Sequence, residues 1–388
     1  MVRVGTLPMR LTALEYGADI VYTPELIAKK LMKCVRVENG ALNTVDFVTS
    51  DGSGHGSDKN GELVLRIAAA ERHAIVLQIG ASDPDIALAA ASLVQHDVNA
   101  VDLNMGCPKP FSVHAGMGAA LTKNPDLACA ILSNLVQNLA VPVTCKIRVL
   151  PSVEETIDLV TRLQSTGIIA MGVHGRTQDM RPREPALWPK IADVVSALDI
   201  PVIANGDVFE PADFDRVCAE TGAASAMTAR GAQWNASIFA GDGPYPVLSV
   251  AQKYLSHSIT YGIAPANAKY ALLAMQTSKL GFHDKLHSAQ TDTHADLADL
   301  FGVKDVYDAA VERHGGSPFA AFRPNNRFLK RLRKMYRRLN KPFPDIPPLN
   351  PAPSSESGLG GESDPGVREE EGVAAGAVAG ASTSQSQS

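Results

Sequence analysis

Short polar motifs that could do chemistry follow several apolar, strand-like runs between residues 78 and 230. They recur about every 30 residues, which is the length of one strand plus one helix. The residues are Gln78, Asn104, Cys107, Lys146, Arg148, His174, Arg176, Asn205, Gly206, Ala229 and Arg230. A parallel barrel brings the carboxyl ends of all its strands to one rim, so these groups would line a single pocket.

Cys107 is the strongest candidate for a reacting group. It lies in the motif Asn-Met-Gly-Cys-Pro at 104–108, where Gly and Pro would hold it on a tight loop just past a strand end. A thiol in such a place is a nucleophile or a general acid, depending on its pKa. Because no acyl-transfer motif or Ser/His/Asp-like relay surrounds it, we favour the acid. The alternative is a buried structural thiol.

The basic residues at the strand ends predict an anionic cofactor. Lys146 lies in an apolar run, where a charge needs a partner, either a cofactor or a buried carboxylate. The last two strands end in Asn205-Gly206 and Ala229-Arg230, the place where barrels commonly bind phosphate. Together with Gln78 on an earlier strand, this pattern suits a flat heteroaromatic phosphate. We therefore expect flavin mononucleotide, FMN.

Several other classes are disfavoured by what the sequence lacks. No Gly-x-Gly-x-x-Gly follows a strand-like run, which argues against a Rossmann dinucleotide domain. The predicted strand ends also lack the paired carboxylates that a glycosidase needs. The five cysteines form no Cys-x-x-Cys pair, so we predict no metal site and a reduced, intracellular protein. No apolar run is long enough for a membrane span, which needs about 18 residues.

Alternating strand-like and helix-like segments predict an α/β fold, a TIM (β/α)8 barrel, over residues 1–245. The predicted strands are Asp19–Tyr22, Ile75–Ile79, Ala100–Asn104, Val143–Ile147, Ala170–Val173, Val202–Ala204 and Ser225–Thr228, with Thr44–Thr49 as an extra one. The predicted helices are Pro84–Gln95, Pro125–Asn138, Val153–Ser165 and Pro211–Glu220. These strands make seven of eight, so we expect the first barrel strand to precede Met1.

The remaining sequence predicts a smaller helical domain at 246–341 and a disordered tail at 342–388. Within the tail, residues 351–388 carry six acidic residues and one arginine, which equal the whole net charge of −5. Residues 323–341 hold nine Lys or Arg and no acid, on a predicted amphipathic helix. Such a block is a solvated surface or a polyanion-binding site, and its density of charge favours a phosphate backbone.

These motifs resemble the tRNA-dihydrouridine synthases. The resemblance covers about residues 1–280 and includes Asn-Met-Gly-Cys-Pro-Lys at 104–109 and Pro-Val-Ile-Ala-Asn-Gly at 201–206. Residues 1–10 and 44–48 look like the eukaryotic branch that modifies position 20 in the D-loop of tRNA. In the family a strand ending in Ala-Pro precedes the Met that is Met1 here. We therefore expect the chain as written to be less active than a form that carries this strand.

The resemblance implies a site and a reaction. FMN, reduced by NADPH or NADH, would give a hydride to C6 of uracil, and Cys107 would protonate C5. The residues that would bind FMN are Met1, Gln78, Lys146, His174, Asn205, Gly206, Ala229 and Arg230. The residues that would hold the uracil or the tRNA are Asn104, Lys109, Arg148, Arg176, Arg327, Lys330, Arg331 and Lys334. We expect a cytoplasmic protein, with nuclear access left open by the basic run at 330–334.

Two other functions stay open at this point. One is an FMN-barrel oxidoreductase that acts on a small metabolite, which activity without RNA would indicate. The other is a tRNA-binding protein without catalysis, which would hold no flavin.

Overall fold

The computed structural model describes residues 1, 3–49, 61–275, 281, 284, 286 and 291–313. The chain divides into two compact units, Met1–Phe343 and Pro344–Ser388, and the second lies outside the described residues. The predicted disordered tail and the predicted tRNA contacts Arg327, Lys330, Arg331 and Lys334 also lie outside them. The predicted domain boundary at 245/246 falls inside the first unit and stays a prediction.

A curled parallel sheet forms the centre of the first unit. Its strands are β1 (Val21–Tyr22), β2 (Leu26–Ile27), β6 (Ile75–Gly80), β7 (Ala100–Asn104), β8 (Val143–Arg148), β9 (Ala170–His174), β10 (Val202–Asn205) and β11 (Ser225–Met227). They pair in the order β1-β6-β7-β8-β9-β10-β11, with β2 beside β6. This is the strand order of a (β/α)8 barrel, and the seven predicted strands are confirmed. Among the described residues, β1 and β11 do not pair with each other.

Helices follow the strands because the sequence supplies both their start sites and their apolar faces. The helices up to residue 234 are α1 (Leu7–Glu15), α2 (Ala28–Leu31), α3 (Pro84–Val94), α4 (Pro110–Val113), α5 (Pro125–Asn138), α6 (Val153–Gln164), α7 (Trp188–Ala197), α8 (Ala212–Thr221) and α9 (Arg230–Trp234). The side chains of Asp83, Asn124 and Ser152 each accept a hydrogen bond from a first-turn backbone N–H. The four predicted helices are confirmed to within a residue or so.

The core of the barrel is apolar because its strands are buried on both faces. Every residue of β6 is buried, and Ile75, Leu77 and Ile79 are inaccessible to solvent. Continuous apolar runs of this kind are typical of parallel strands covered by helices. The rigid sheet fixes the positions of the polar groups that follow it.

A second, antiparallel sheet lies between β2 and β6 in the chain. It contains β3 (Cys34–Asn39), β4 (Thr44–Thr49) and β5 (Leu63–Ala68). Only β4 is anticipated by the sequence pattern. Asp46 on β4 accepts hydrogen bonds from Arg66 on β5, with an Nε–Oδ1 distance of 2.7 Å.

Helices dominate after residue 246, as the sequence predicts. They are α10 (Val247–Thr260), α11 (Pro265–Ala274), α12 (His294–Phe301) and α13 (Lys304–Arg313). Tyr254 of α10 is fully buried in an apolar cluster that also includes Met9 of α1. This part of the chain therefore packs on the N-terminal helix. Within the described residues, no helix is both long enough and apolar enough to span a membrane.

Candidate active site

The register of the parallel strands brings the predicted polar residues side by side. Residues paired across a parallel sheet point to the same face, and so do residues two positions apart on one strand. The pairings give three adjacent rows, which are Gln78–Asp102–Thr144, Asn104–Lys146–Gly172 and Arg148–His174–Asn205. Residues far apart in the sequence therefore stand together on one face near the carboxyl ends of the strands.

The first row contains a buried carboxylate that the motif analysis missed. Asp102 accepts hydrogen bonds from Gln78 Nε2 at 2.9 Å and from Thr144 Oγ1 at 2.8 Å. The other end of the Gln78 amide accepts a hydrogen bond from Asn104 Nδ2 at 2.9 Å. Burial raises the pKa of Asp102 to about 6, against the opposing effects of Gln78, Thr144 and Lys146. Asp102 thus fixes the orientation of the Gln78 side chain.

The buried Asp102 gives a pH dependence of stability. Because its pKa is higher in the folded protein than in the unfolded chain, its protonation stabilises the fold at low pH, and this stabilisation is lost as the pH rises through about 6. Between pH 5 and pH 7.5, the free energy of unfolding of the unaltered protein should fall by about 1 kcal/mol more than that of Asp102→Asn. Urea unfolding of both proteins at the two pH values measures the difference. Equal changes in the two proteins would contradict this assignment.

The loop that carries Cys107 is held from three sides. Asn104 Oδ1 accepts hydrogen bonds from the backbone N–H groups of Gly106 at 3.1 Å and Cys107 at 3.0 Å. Arg148 Nε donates to the carbonyl of Gly106 at 2.7 Å. The carbonyl of Cys107 accepts from the backbone N–H of Ala119 at 3.0 Å. The thiol is therefore presented by a fixed backbone.

The Cys107 thiol is half-buried and favours its protonated form. Burial is the largest cause that raises its pKa, and the Glu25 carboxylate raises it further. A protonated thiol can donate a proton but is a poor nucleophile. A raised pKa is what an acid role would need, and that role stays a prediction.

A cluster of cations surrounds His174. Burial lowers the pKa of His174 to about 2, and four cations lower it further. These cations are Lys146, Arg148, Arg176 and Arg230. The imidazole is therefore neutral, and the region around it attracts an anion. Lys146 itself is partly buried, and desolvation lowers its pKa to about 8.

A cavity opens beside this cluster at the carboxyl ends of β9, β10 and β11. Residues from all three strand ends line it, among them His174, Asn205, Gly206, Ala229 and Arg230. Gly206 has a φ of 123°, and a Cβ there would lie 2.8 Å from the Cβ of Ala186. Only glycine fits this turn without strain. The Asn205 side chain donates to the carbonyl of Met227 at 2.9 Å and so ties two of the strand ends together.

Asp207 holds two of the cations in place. Its carboxylate accepts hydrogen bonds from Arg176 and, at 3.0 Å, from Arg230 Nη2. Asp207 and Asp102 lie near the four cations around His174 and offset part of their positive charge. The remaining positive charge fits a phosphate ester, so the residues present fit the phosphate group of FMN.

Arg176, Lys109 and Met1 are the other predicted site residues within the described part of the chain. The Arg176 guanidinium is buried and committed to Asp207 and to the carbonyl of Glu184, at 2.7 Å, so its assignment to the substrate stays a prediction. Lys109 is exposed just before α4, on the same loop as Cys107. Met1 is 41% exposed, and its carbonyl accepts from the backbone of Gly5 at 2.9 Å. Among the described residues, no group of three His, Cys, Asp or Glu side chains could hold a metal ion.

Three acidic residues of the site, Glu25, Asp102 and Asp207, were not anticipated. Asp102 lies two positions before Asn104 in an apolar run, and that spacing could have shown that both face the same side. Asp207 directly follows the Asn-Gly motif. Nothing in the local sequence singles out Glu25, because its neighbours in space come from distant segments.

Comparison with known protein families matches residues 1–288 to the family described as Dihydrouridine synthase (Dus). The chain belongs to the dihydrouridine synthase family. The matched range includes Cys107, Gln78, the Asp102 row and the cation cluster around His174. The resemblance that the sequence motifs predict is therefore confirmed.

Several dihydrouridine synthases are similar to this chain. The tRNA-dihydrouridine(20) synthase [NAD(P)+] of Schizosaccharomyces pombe is 36% identical over 314 residues, which are 78% of this chain and 64% of that protein. The protein of the same name from Saccharomyces cerevisiae is 42% identical over 222 residues, 55% of this chain and 57% of that protein. A tRNA-dihydrouridine(16/17) synthase [NAD(P)(+)]-like protein of Mus musculus is 31% identical over 257 residues, which are 66% of this chain and 49% of that protein. The chain thus spans less than two thirds of the length of each of these three relatives.

Proposed function

We propose that this protein reduces a uridine of tRNA, at position 20 in the D-loop, to 5,6-dihydrouridine. The observation that carries the proposal is the family match over residues 1–288, which contain both Cys107 and the cation cluster. The names of the two yeast relatives support position 20 and the use of NAD(P). Higher identity to these two than to the 16/17 relative favours the same position.

The cavity beside His174 is the proposed FMN phosphate site. His174, Asn205, Gly206, Ala229 and Arg230 line it, and they combine positive charge with a tight glycine turn. Gln78 and Lys146, on neighbouring strands, would bind the flavin ring, with Met1 at its edge. The chemistry that FMN supplies when bound is hydride transfer to C6 of uracil, with NADPH or NADH as the source of electrons.

Cys107 supplies the proton in the proposed mechanism. Its Sγ holds a proton at neutral pH because burial and Glu25 raise the pKa of the thiol. The proton is delivered to C5 of the uracil, where negative charge develops. Asn104 and Arg148 keep the loop fixed through its backbone, so the thiol does not need to reorganise during the reaction.

The substrate base must leave its stack to reach Cys107. A base within a folded RNA hides the face that reacts, so we propose that the uridine is extruded into the pocket. Asn104, Lys109, Arg148 and Arg176 are the proposed contacts to the base or its neighbours. Arg327, Lys330, Arg331 and Lys334 are the proposed contacts to the tRNA backbone, and the proposed location of the protein is the cytoplasm.

Spectroscopy and a choice of substrates separate this function from its alternatives. The purified chain should be yellow and should oxidise NADPH when given tRNA that lacks dihydrouridine. Free uridine and a simple enone should support no comparable oxidation. Oxidation with the enone alone would favour a metabolite reductase, and a colourless protein that binds tRNA would favour a non-catalytic role.

Removal of one cation should weaken FMN binding. Arg230→Ala deletes a charge-assisted donor at the proposed phosphate site, so affinity should fall roughly 10- to 100-fold. Quenching of FMN fluorescence on titration with protein measures the change. Arg162→Ala, at an exposed ion pair with Asp126 on other elements, is the matched control and should bind like the unaltered chain. Equal affinities for all three would rule out this phosphate site.

A further inference from the structure

We propose that Glu25 is a positioning residue for Cys107. Its carboxylate, held by the hydroxyl of Ser112, keeps the Cys107 thiol protonated and so ready to act as an acid. The inference rests on the proposed function for its catalytic meaning. Its structural basis is a small group of residues from three separate segments.

The sheet topology brings Glu25 to the end of β6. Glu25 directly precedes β2, and β2 pairs with the last residues of β6, Leu26 with Ile79 and Ile27 with Gly80. The carboxylate packs where Gly80 has no side chain, since a Cβ there would lie only 2.8 Å from Glu25 Oε1. A half-buried carboxylate is therefore seated against the sheet.

Ser112 connects this carboxylate to the Cys107 loop. Ser112 is inaccessible to solvent, and its Oγ donates a hydrogen bond to Glu25 Oε1 at 3.2 Å. Gly118, with a φ of 59° and no side chain, leaves room for Ser112 and Cys107 to approach each other. A Cβ on Gly118 would lie 2.5 Å from Ser112 Oγ and 3.0 Å from Cys107 Cβ. The Ser112 hydroxyl and the Cys107 side chain therefore both pack against Gly118.

The electrostatics agree with this geometry. Burial is the largest cause that raises the pKa of Cys107, the charge of Glu25 and its hydrogen bond raise it further, and Ser112 and the backbone of Lys109 oppose them. Arg148 on β8 and the α-amino group of Met1 also interact electrostatically with this thiol. A carboxylate beside a thiol disfavours a second negative charge, so it disfavours the thiolate.

The same carboxylate would help to complete the reaction. When the S–H bond of Cys107 breaks and a C5–H bond forms on the uracil, a thiolate remains beside Glu25. Repulsion between the two anions favours the return of a proton from solvent to Sγ. Glu25 would thus restore the acid without touching the substrate.

The test is the pH dependence of Cys107 alkylation in the full chain. Iodoacetamide reacts with the thiolate, so the rate of modification of the Cys107 peptide, read by mass spectrometry, reports the midpoint of ionisation. In Glu25→Gln the midpoint should fall by about one pH unit. Glu220→Gln, an exposed residue on α8, is the matched control and should leave the midpoint unchanged.

A second variant keeps Glu25 but displaces it. In Gly80→Ala the new Cβ would push the carboxylate aside, and the midpoint should fall by a smaller amount. If the midpoint is the same in the unaltered chain, Glu25→Gln and Gly80→Ala, the inference is wrong. A shifted midpoint in a protein that reduces no tRNA would uphold the Glu25–Cys107 contact and reject the proposed function instead.

Discussion

Cys107→Ala should lower the rate of uridine reduction about 10²- to 10⁴-fold, the usual contribution of a general acid. The alanine keeps the loop, because the backbone contacts to Asn104 and Ala119 do not involve the thiol. FMN should remain bound, since Cys107 does not line the cavity beside His174. Single-turnover formation of dihydrouridine by the pre-reduced enzyme measures the loss, because it isolates the step that needs the proton.

Cys129→Ala is the matched control for this prediction. Cys129 is a half-buried thiol on α5, and its Sγ contacts the carbonyl of Arg162, not the pocket. Its removal should leave the rate within a factor of two or so of the unaltered chain, since it makes no contact with the reacting groups. A Cys107→Ala enzyme as fast as this control would reject the acid role.

Glu71→Ala should destabilise the fold by about 3–5 kcal/mol, because it leaves a buried charge without its partner. Arg10 of α1 is 3% exposed and Glu71 is inaccessible to solvent, and two hydrogen bonds of 2.6 and 2.7 Å join them. Arg10 also donates to the carbonyls of Gly5 and Arg66. This ion pair thus ties α1 to the 3-10 turn Ala69–Glu71 that follows β5. The midpoint of urea unfolding measures the loss of stability.

Glu62→Ala provides a matched control on the surface. Glu62 pairs with Lys30, and both side chains are about half exposed, 52% and 44%. Exposed pairs contribute about 0–1 kcal/mol, so this variant should unfold close to the unaltered chain. A Glu71→Ala protein as stable as Glu62→Ala would show that the buried pair does not hold α1. Adding Arg10→Met to Glu71→Ala should recover part of the loss, because the unpaired charge is then gone.

The fold of the barrel could be predicted because its strands are buried on both faces. Runs such as Ile75–Ile79 are continuous and apolar, and helix start sites such as Asp83-Pro84 bound the helices between them. The antiparallel sheet was harder to predict. Four consecutive residues of β3, from Val35 to Glu38, are exposed, so the strand lacks a regular alternation of buried and exposed positions.

The site could be predicted as a set of residues but not as a network. Strand ends predict which groups meet, and the register then places Lys146 beside Asn104 and His174 beside Arg148. Which of these side chains form hydrogen bonds or ion pairs with each other depends on packing. Arg176 is held by Asp207, and the carboxylates of Glu25 and Asp102 find their partners on segments far away in the chain.

Mapping of dihydrouridine along a tRNA tests the central claim most directly. A tRNA transcript without modifications, incubated with the purified chain, FMN and NADPH, should gain dihydrouridine at position 20 and at no other uridine. Reduction should require NADPH and disappear with Cys107→Ala. A flavin-bearing protein that leaves position 20 as uridine, or that reduces other positions instead, would contradict the account.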